Sequence, residues 1–389
     1  MIDWFFMYDF IIDIYDANNW EKHRLGDLSK IVRGASPRPI KNPKWFDENS
    51  DIGWLRIADV TKQNGKIHFL EQHLSKLGQE KTRILKSPHL LLSIAATVGS
   101  PVINYIPTGV HDGFLIFLNP KFDKLFMFQW LQYFKNYWNK YGQPGSQVNL
   151  NSDLVRNQQI YIPAKKEQII ISDLFSILDN LLTVNQHKLE QLKLLKKALL
   201  QQLFPQNDEI TPQIRFANFQ DNWERHKLSD LFLIKAGGDL HKEELSETGI
   251  YPVISNSLEK NGIIGYSNSF KFDSPTITVT GRGSIGHAIS RHERITPVIR
   301  VLVLIPKNKI NVDFTTEYIN RIEIYNESTG VPQLTAPQLG IYKILVPSFK
   351  ETNLIGCITR KMDLLINKSK YKISILKSIK KALLQNMFI

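Results

Sequence analysis

A single cysteine, Cys357, stands among 389 residues. One thiol excludes a disulfide framework and a thiolate metal cluster. It fits a reducing cytoplasm, and its place in a helical pattern puts it in the interior. Acidic residues are short as well. Against 49 Lys and Arg there are 37 Asp and Glu, which leaves a net charge of +12. A folded chain with that surplus most often meets a polyanion, usually nucleic acid, although a generally cationic surface would look the same. No run reaches the ~18 apolar residues that suggest a membrane span. The opening MIDWFFMYDFIIDIYDANNW is aromatic and apolar, yet it carries four aspartates and no basic leader. It does not read as a signal peptide.

Catalytic motifs are missing too. No lysine has Asp or Glu two positions before it, so the metal-holding D/E-x-K nuclease pattern is absent. No N/D-P-P-Y/F offers a pocket for amino-group methylation. Neither G-x-x-x-x-G-K-S/T nor H-E-x-x-H occurs, which removes the usual phosphate cradle and zinc helix. The ten histidines are scattered. These absences argue against catalysis by this chain itself.

What the chain does have is a repeat. LKLLKKALLQQLFP (Leu192 to Pro205) returns as ISILKSIKKALLQNMFI at the end, at an offset of 184 that carries Lys196 onto Lys380 and Phe204 onto Phe388. The offset holds backward through apolar twins: Ile171 with Ile355, Leu174 with Ile358, Leu178 with Met362, Leu181 with Leu365. It continues with Leu189 and Ile373, Leu192 and Leu376, Leu195 and Ile379, and Leu199 and Leu383. Spacings of three, four and seven predict two amphipathic rods that bury these residues along one seam. Asn185 and Ser369 interrupt it at twin positions, as a matched polar layer or as exposed residues. Ser348 and Glu351 form an S-x-x-E capping box at the second rod, and Pro205 stops the first. A rod of about 37 residues spans ~55 Å, roughly one to two DNA turns. Its partner is its twin in the same chain, paired antiparallel, or a second molecule. WEKHRLGDL (Trp20 to Leu28) also returns as WERHKLSDL (Trp223 to Leu231), at an offset of 203, and TVGS (Thr97 to Ser100) matches SIGH (Ser284 to His287) at 187. A drifting offset before each rod and a constant one within it mean a variable head followed by a fixed helix.

The heads read as mixed α/β. LLLSIAATVGSPVINYI and TITVTGRGSIGHAISRH each spell a strand, a glycine turn and a second strand. GRGSIG matches G-x-G-x-x-G, but no apolar helix stripe follows, and no acid stands about 20 residues on to hold a ribose. Two readings of that turn stay open. It is an ordinary hairpin, or its backbone approaches a phosphate flanked by Arg282, Ser284, His287 and Arg291, with Thr97 and Ser100 in the matching turn. Other loops offer base-reading chemistry: Asn256, Ser257 and Lys260 in one, Gln143, Ser146 and Gln147 in another. Such residues also populate any surface turn.

Two variable heads, each opened by W-E-x-H-x-L-x-D-L and closed by a helix ending in KKALLQ, resemble the specificity subunit of a Type I restriction–modification system. GWLRIADVTKQNGKI (Gly53 to Ile67), EKNGIIGYSN (Glu259 to Asn268) and I-x-I-P-x-x-x-E-Q (Ile160 to Gln168) fit as well. The resemblance implies an α+β chain with two target recognition domains, residues 20–164 and 207–347, after an atypical segment 1–19. Two spacer helices, 165–206 and 348–389, would pack antiparallel with pseudo-twofold symmetry. It implies that each domain reads half of a bipartite site in double-stranded DNA. The helices would set the spacing and dock two copies of a modification subunit. Those subunits bring S-adenosylmethionine and adenine methylation. Restriction subunits add ATP- and Mg2+-dependent translocation and cleavage, and this chain, in the cytoplasm and off the membrane, holds no cofactor or metal. A self-contained methyltransferase or nuclease, or a scaffold blind to sequence, are the other readings.

Overall fold

The computed structural model describes residues 19–95, 97–141, 150–206, 209–239, 245–325 and 332–388. The chain divides into two units: residues 1–184 with 373–389, and residues 185–372. Each unit combines a mixed head with one segment from each rod.

In the first unit, Glu21–Arg24 pairs antiparallel with Gln159–Ile162, so the Trp motif and the I-x-I-P motif close the head together. The main sheet has five strands in the order Lys30–Arg33, Phe114–Leu118, Leu90–Ser93, Pro101–Asn104 and Lys66–Ile67. Leu90–Ser93 and Pro101–Asn104 are buried along their whole length, which is why they read as apolar runs without alternation. A three-stranded sheet of Gly53–Leu55, Thr108–Val110 and Arg83–Leu85 completes the head. The helix Lys124–Phe134 starts where the Asp123 carboxylate accepts from the amides of Leu125 and Phe126.

The second unit repeats the plan. Glu224–Lys227 pairs with Lys343–Val346. A four-stranded sheet orders Phe232–Ala236, Leu302–Pro306, Thr276–Val279 and Ala288–Arg291. Ile263–Ser267, Tyr251–Ile254 and Thr296–Pro297 form a smaller sheet, and Asn311 caps the helix Val312–Ile319. The two glycine turns are equivalent hairpins: Leu92 lies opposite Pro101, and Val279 opposite Ala288, at the offset of 187. Gly99 and Gly286 both hold positive φ, +77° and +85°, where a side chain would be strained.

The rods are uninterrupted helices, Lys165–Leu203 and Phe349–Met387, of 39 residues each. In the second rod, positions 355, 359, 362, 366, 369, 373, 376, 380, 383 and 387 are buried or half-buried, in steps of four and three. The twin positions of the first rod, from Ile171 through Phe175, Leu178 and Leu182 to Leu203, behave the same way. That is a heptad repeat. Asn185 and Ser369 occupy it, each 7% exposed.

Three expectations change here. Leu195 and Leu365 are about half exposed, at 50% and 47%, and the inward positions beside them are Lys196 and Ile366. At Leu181-Leu182 both residues are partly buried against the first core, with Leu182 on the heptad position. Adjacent apolar residues satisfy spacings of three and four equally well, so periodicity alone could not choose between them. Leu174 is buried in one cluster with Leu178 and Leu376 of the two rods. Cys357 is exposed, because Gly356 is the residue that faces inward: a Cβ there would lie 2.0 Å from Asn311 Oδ1. The capping box is half made. Ser348 Oγ accepts from the Glu351 amide at 3.4 Å, but the Glu351 carboxylate takes the Arg215 guanidinium at 2.7 and 2.9 Å.

Candidate nucleic-acid interface

Three segments of the second head converge on the GRGSIG hairpin. The Asn256 side chain accepts from the Gly281 amide at 2.7 Å and donates to the Ile299 carbonyl at 2.5 Å. Arg291 donates to Thr278 Oγ1 at 2.9 Å and to the Asn261 carbonyl at 2.6 Å. The segment around Gln333 bridges to Arg282, and the Leu334 amide reaches the Gly281 carbonyl at 2.9 Å. Asn256, Ser257, Lys260, Arg282, Ser284 and His287 thus share one patch. Ser257, Lys260, Ser284 and His287 are exposed on it. Lys260 and Asn261 hold φ of +47° and +56°, a left-handed pair that turns the 255–262 loop back on itself. Partial enclosure, and then the charge of Arg291, hold the pKa of His287 below its ordinary value.

Two of the proposed contacts are committed inside the protein. Arg291 is 3% exposed and braces the loop against the sheet, and burial pulls its pKa down to about 10. It is not positioned to meet a phosphate. Asn256 has both amide atoms engaged, which makes it a cross-brace rather than a free reader of adenine. The residue type fits base recognition in both cases. Only the packing shows that the donors are already used.

In the first head, Thr97 and Ser100 sit in the matching hairpin turn, where Ser100 is buried and Thr97 Oγ1 is enclosed without a hydrogen-bond partner. Gln143, Ser146 and Gln147 lie outside the described residues. A separate cleft of about 610 Å3 is lined by Phe46, Trp54, Arg56, Gln72 and His111, with Lys41 at its edge. Trp54 and Arg56 belong to the GWLRIADV phrase, but Phe46, Gln72 and His111 come from outside it, so that phrase alone does not outline the cleft. Arg56 there is held by Asp59 and Glu71 at 3.0 Å each. Burial holds His111 below its ordinary pKa, and the Gly113 amide donates to its Nδ1 at 2.8 Å, which requires that nitrogen to be unprotonated.

The rods carry twin contacts in both units. In the first, Lys380 Nζ meets Asp179 Oδ1 at 2.7 Å. In the second, Lys196 Nζ meets Asp363 Oδ1 at 2.6 Å. The offset of 184 exchanges the two pairs, so within each unit the rod segments run antiparallel in one shared register. The aromatic ends match as well. Phe388 packs on Phe126 at 5.5 Å, beside Trp20. Phe204 packs on Phe314 at 5.2 Å, beside Trp223. Burying such a ring contributes roughly 2–3 kcal/mol, so each rod end is anchored to a head. The polar detail differs: Trp20 Nε1 donates to Glu167 at 3.0 Å, whereas Trp223 Nε1 has no partner and Glu351 holds Arg215.

A family model described as the Type I restriction modification DNA specificity domain matches the chain twice, at residues 17–194 and 220–383. The chain belongs to this family. Each match takes in a head and most of the rod that follows it. S.MpnORF507P of Mycoplasma pneumoniae, named as a type I specificity subunit, is 30% identical over 141 residues, 35% of this chain and 39% of that protein. The specificity subunit of the MjaVIII type I restriction enzyme of Methanocaldococcus jannaschii is 20% identical over 238 residues, 60% of this chain and 53% of that one. The matches thus span about half or less of these relatives. The crystal structure of an S subunit from M. genitalium shares the fold, with a TM-score of 0.71 at 17% identity over 95% of this chain and 96% of the other. The two matches to the family's domain thus fall one on each head-and-rod repeat. Among the described residues, no helix is long and apolar enough to cross a membrane.

Proposed function

We propose that this chain is the non-catalytic DNA-reading subunit of a Type I restriction–modification complex. Each head reads one half of a bipartite double-stranded target. The rods fix the gap between the halves and dock two modification subunits, which supply S-adenosylmethionine and methylate adenine. Restriction subunits joined to the same complex add ATP- and Mg2+-dependent translocation and cleavage. No residue of this chain is assigned to those cofactors. The observation that carries the reading is the exchange of Asp179–Lys380 for Asp363–Lys196 at one offset. Heads that differ in sequence are mounted on rods that are the same twice, as needed to hold two readers and two copies of one partner. The exposed Ser257, Lys260, Ser284 and His287 of the second head are the groups offered to DNA, over a chain of net charge +12.

The test is co-expression with the modification subunit encoded beside this chain, followed by genome-wide mapping of methylated adenine. The expected result is a split motif with a constant non-specific gap. A single uninterrupted motif, methylation without sequence preference, or methylation by this chain alone would each reject the reading.

A further inference from the structure

Each unit contains a cavity built from the same residues of the two rods. In the first unit, a cavity of about 500 Å3 is walled by Lys377, Lys380 and Lys381 over Leu384 and Leu182. In the second, one of about 550 Å3 is walled by Lys193, Lys196 and Lys197 over Leu200 and Ile366. The offset of 184 converts one set into the other, residue by residue. Each head adds a further cation, Lys135 in the first cavity and Arg321 in the second. Among the described residues, no carboxylate lines either one.

The innermost lysine of each triad is spoken for. Lys380 lies against Asp179, and Lys196 against Asp363 and Glu317. The other two lysines of each triad are exposed at the mouth. Lys193 there pairs with its helix neighbour Glu190, an exposed contact worth little. Thr97 Oγ1, buried and without a partner, adds an unsatisfied hydroxyl to the lining of the first cavity.

Cations over a floor of leucine and isoleucine specify a ligand that is negative at its rim and apolar at its tip. A DNA backbone offers phosphate but no apolar tip, and among the described residues neither cavity has an aromatic ring in its lining to stack a base. An acidic peptide segment with a protruding apolar side chain has both properties. Repetition adds a second constraint. The heads differ, but the cavities match, so they suit one partner bound twice. Resting on the proposed docking role of the rods, we propose that the two cavities are equivalent sockets for an acidic segment of the modification subunit, one copy to each.

The experiment compares full-length complexes of this chain with its modification subunit by native mass spectrometry and by affinity at ~0.1 and ~0.5 M salt. The variants are Lys377→Glu/Lys381→Glu, Lys193→Glu/Lys197→Glu and all four together. Lys368→Glu/Lys372→Glu, exposed on the same rod outside both cavities, controls for charge alone. Thermal melting of each variant verifies folding. The expected result is loss of one partner copy from each double variant, loss of both from the quadruple, and at least tenfold weaker wild-type assembly at high salt. Full two-copy assembly of the quadruple variant would overturn the proposal. So would equal loss in the control, or intact assembly with weakened DNA binding, which would assign the lysines to backbone phosphate. If the wild-type chain binds no modification subunit, the docking reading itself fails, and that result is distinct from failure of the sockets alone.

Discussion

Arg291 follows a glycine turn in a basic chain, and its residue type alone nominates it for a polyanion. Its burial gives it a different task. It ties the 255–262 loop to the sheet through Asn261 and Thr278. Arg291→Ala would leave the Asn261 carbonyl and the Thr278 hydroxyl without their donor in the interior, at a cost of about 3 kcal/mol. Chemical denaturation is expected to show that loss before any effect on DNA binding; unchanged stability would mean that the brace is not structural. His111 makes the complementary case through protons. Burial, aided by Arg38 and Arg33 and opposed by Asp112, keeps its folded pKa below 6.5. Below pH 6.5 the unfolded chain therefore takes up a proton that the folded chain refuses. The stability held by neutral His111 is complete above that pH and is lost as pH falls toward the folded value. His111→Gln is expected to flatten the fall in melting temperature between about pH 7.5 and 5.5. Parallel curves for variant and wild type would contradict this.

At the scale of the element, each rod was legible as a helix from its period and its lysine-rich close. Its inward face was only partly legible. Leu181-Leu182, Leu194-Leu195 and Leu364-Leu365 each offer two candidates to a pattern of threes and fours. The packing passes over both members of the last two pairs, which stay exposed, and takes Lys196 and Ile366 instead, the lysine with its stem packed while its ammonium reaches two carboxylates. Stability should follow the packing. Leu376 is 4% exposed, and Leu376→Ala is expected to cost about 2–4 kcal/mol through the cavity it leaves. Leu195 is 50% exposed, and Leu195→Ala should stay within about 0.5 kcal/mol. Equal melting losses in the two variants would place the seam elsewhere.

At the scale of the molecule, duplication is a property of the sequence and can be counted without coordinates. Constant spacing within the rods and drifting spacing before them predict that rod length is functional. Adding four residues to each rod, between Leu178 and Leu195 and between Met362 and Ile379, lengthens each by about 6 Å. The methylated motif is expected to keep both half-sites and widen its gap by about two base pairs, at roughly 3.4 Å each. A gap of unchanged length would remove the rods from target spacing.

The sequence by itself determined the two heads, the two rods, the paired hairpin turns and the family, because each is written in local spacing and in self-similarity. Only the tertiary structure decided which head holds which rod end. The last turns of the chain belong to the first unit, where Phe388 meets Phe126 and Trp20, while Phe204 belongs to the second, beside Phe314 and Trp223. It also decided that Arg291 and Asn256 brace loops and that six lysines of the rods line two matching cavities. The physical reason is the same in each instance. A residue's period fixes its angle around a helix or strand. What it meets there depends on atoms brought from other segments, 13 positions away for Arg291 and Thr278 and 201 for Asp179 and Lys380, and no local pattern encodes that meeting.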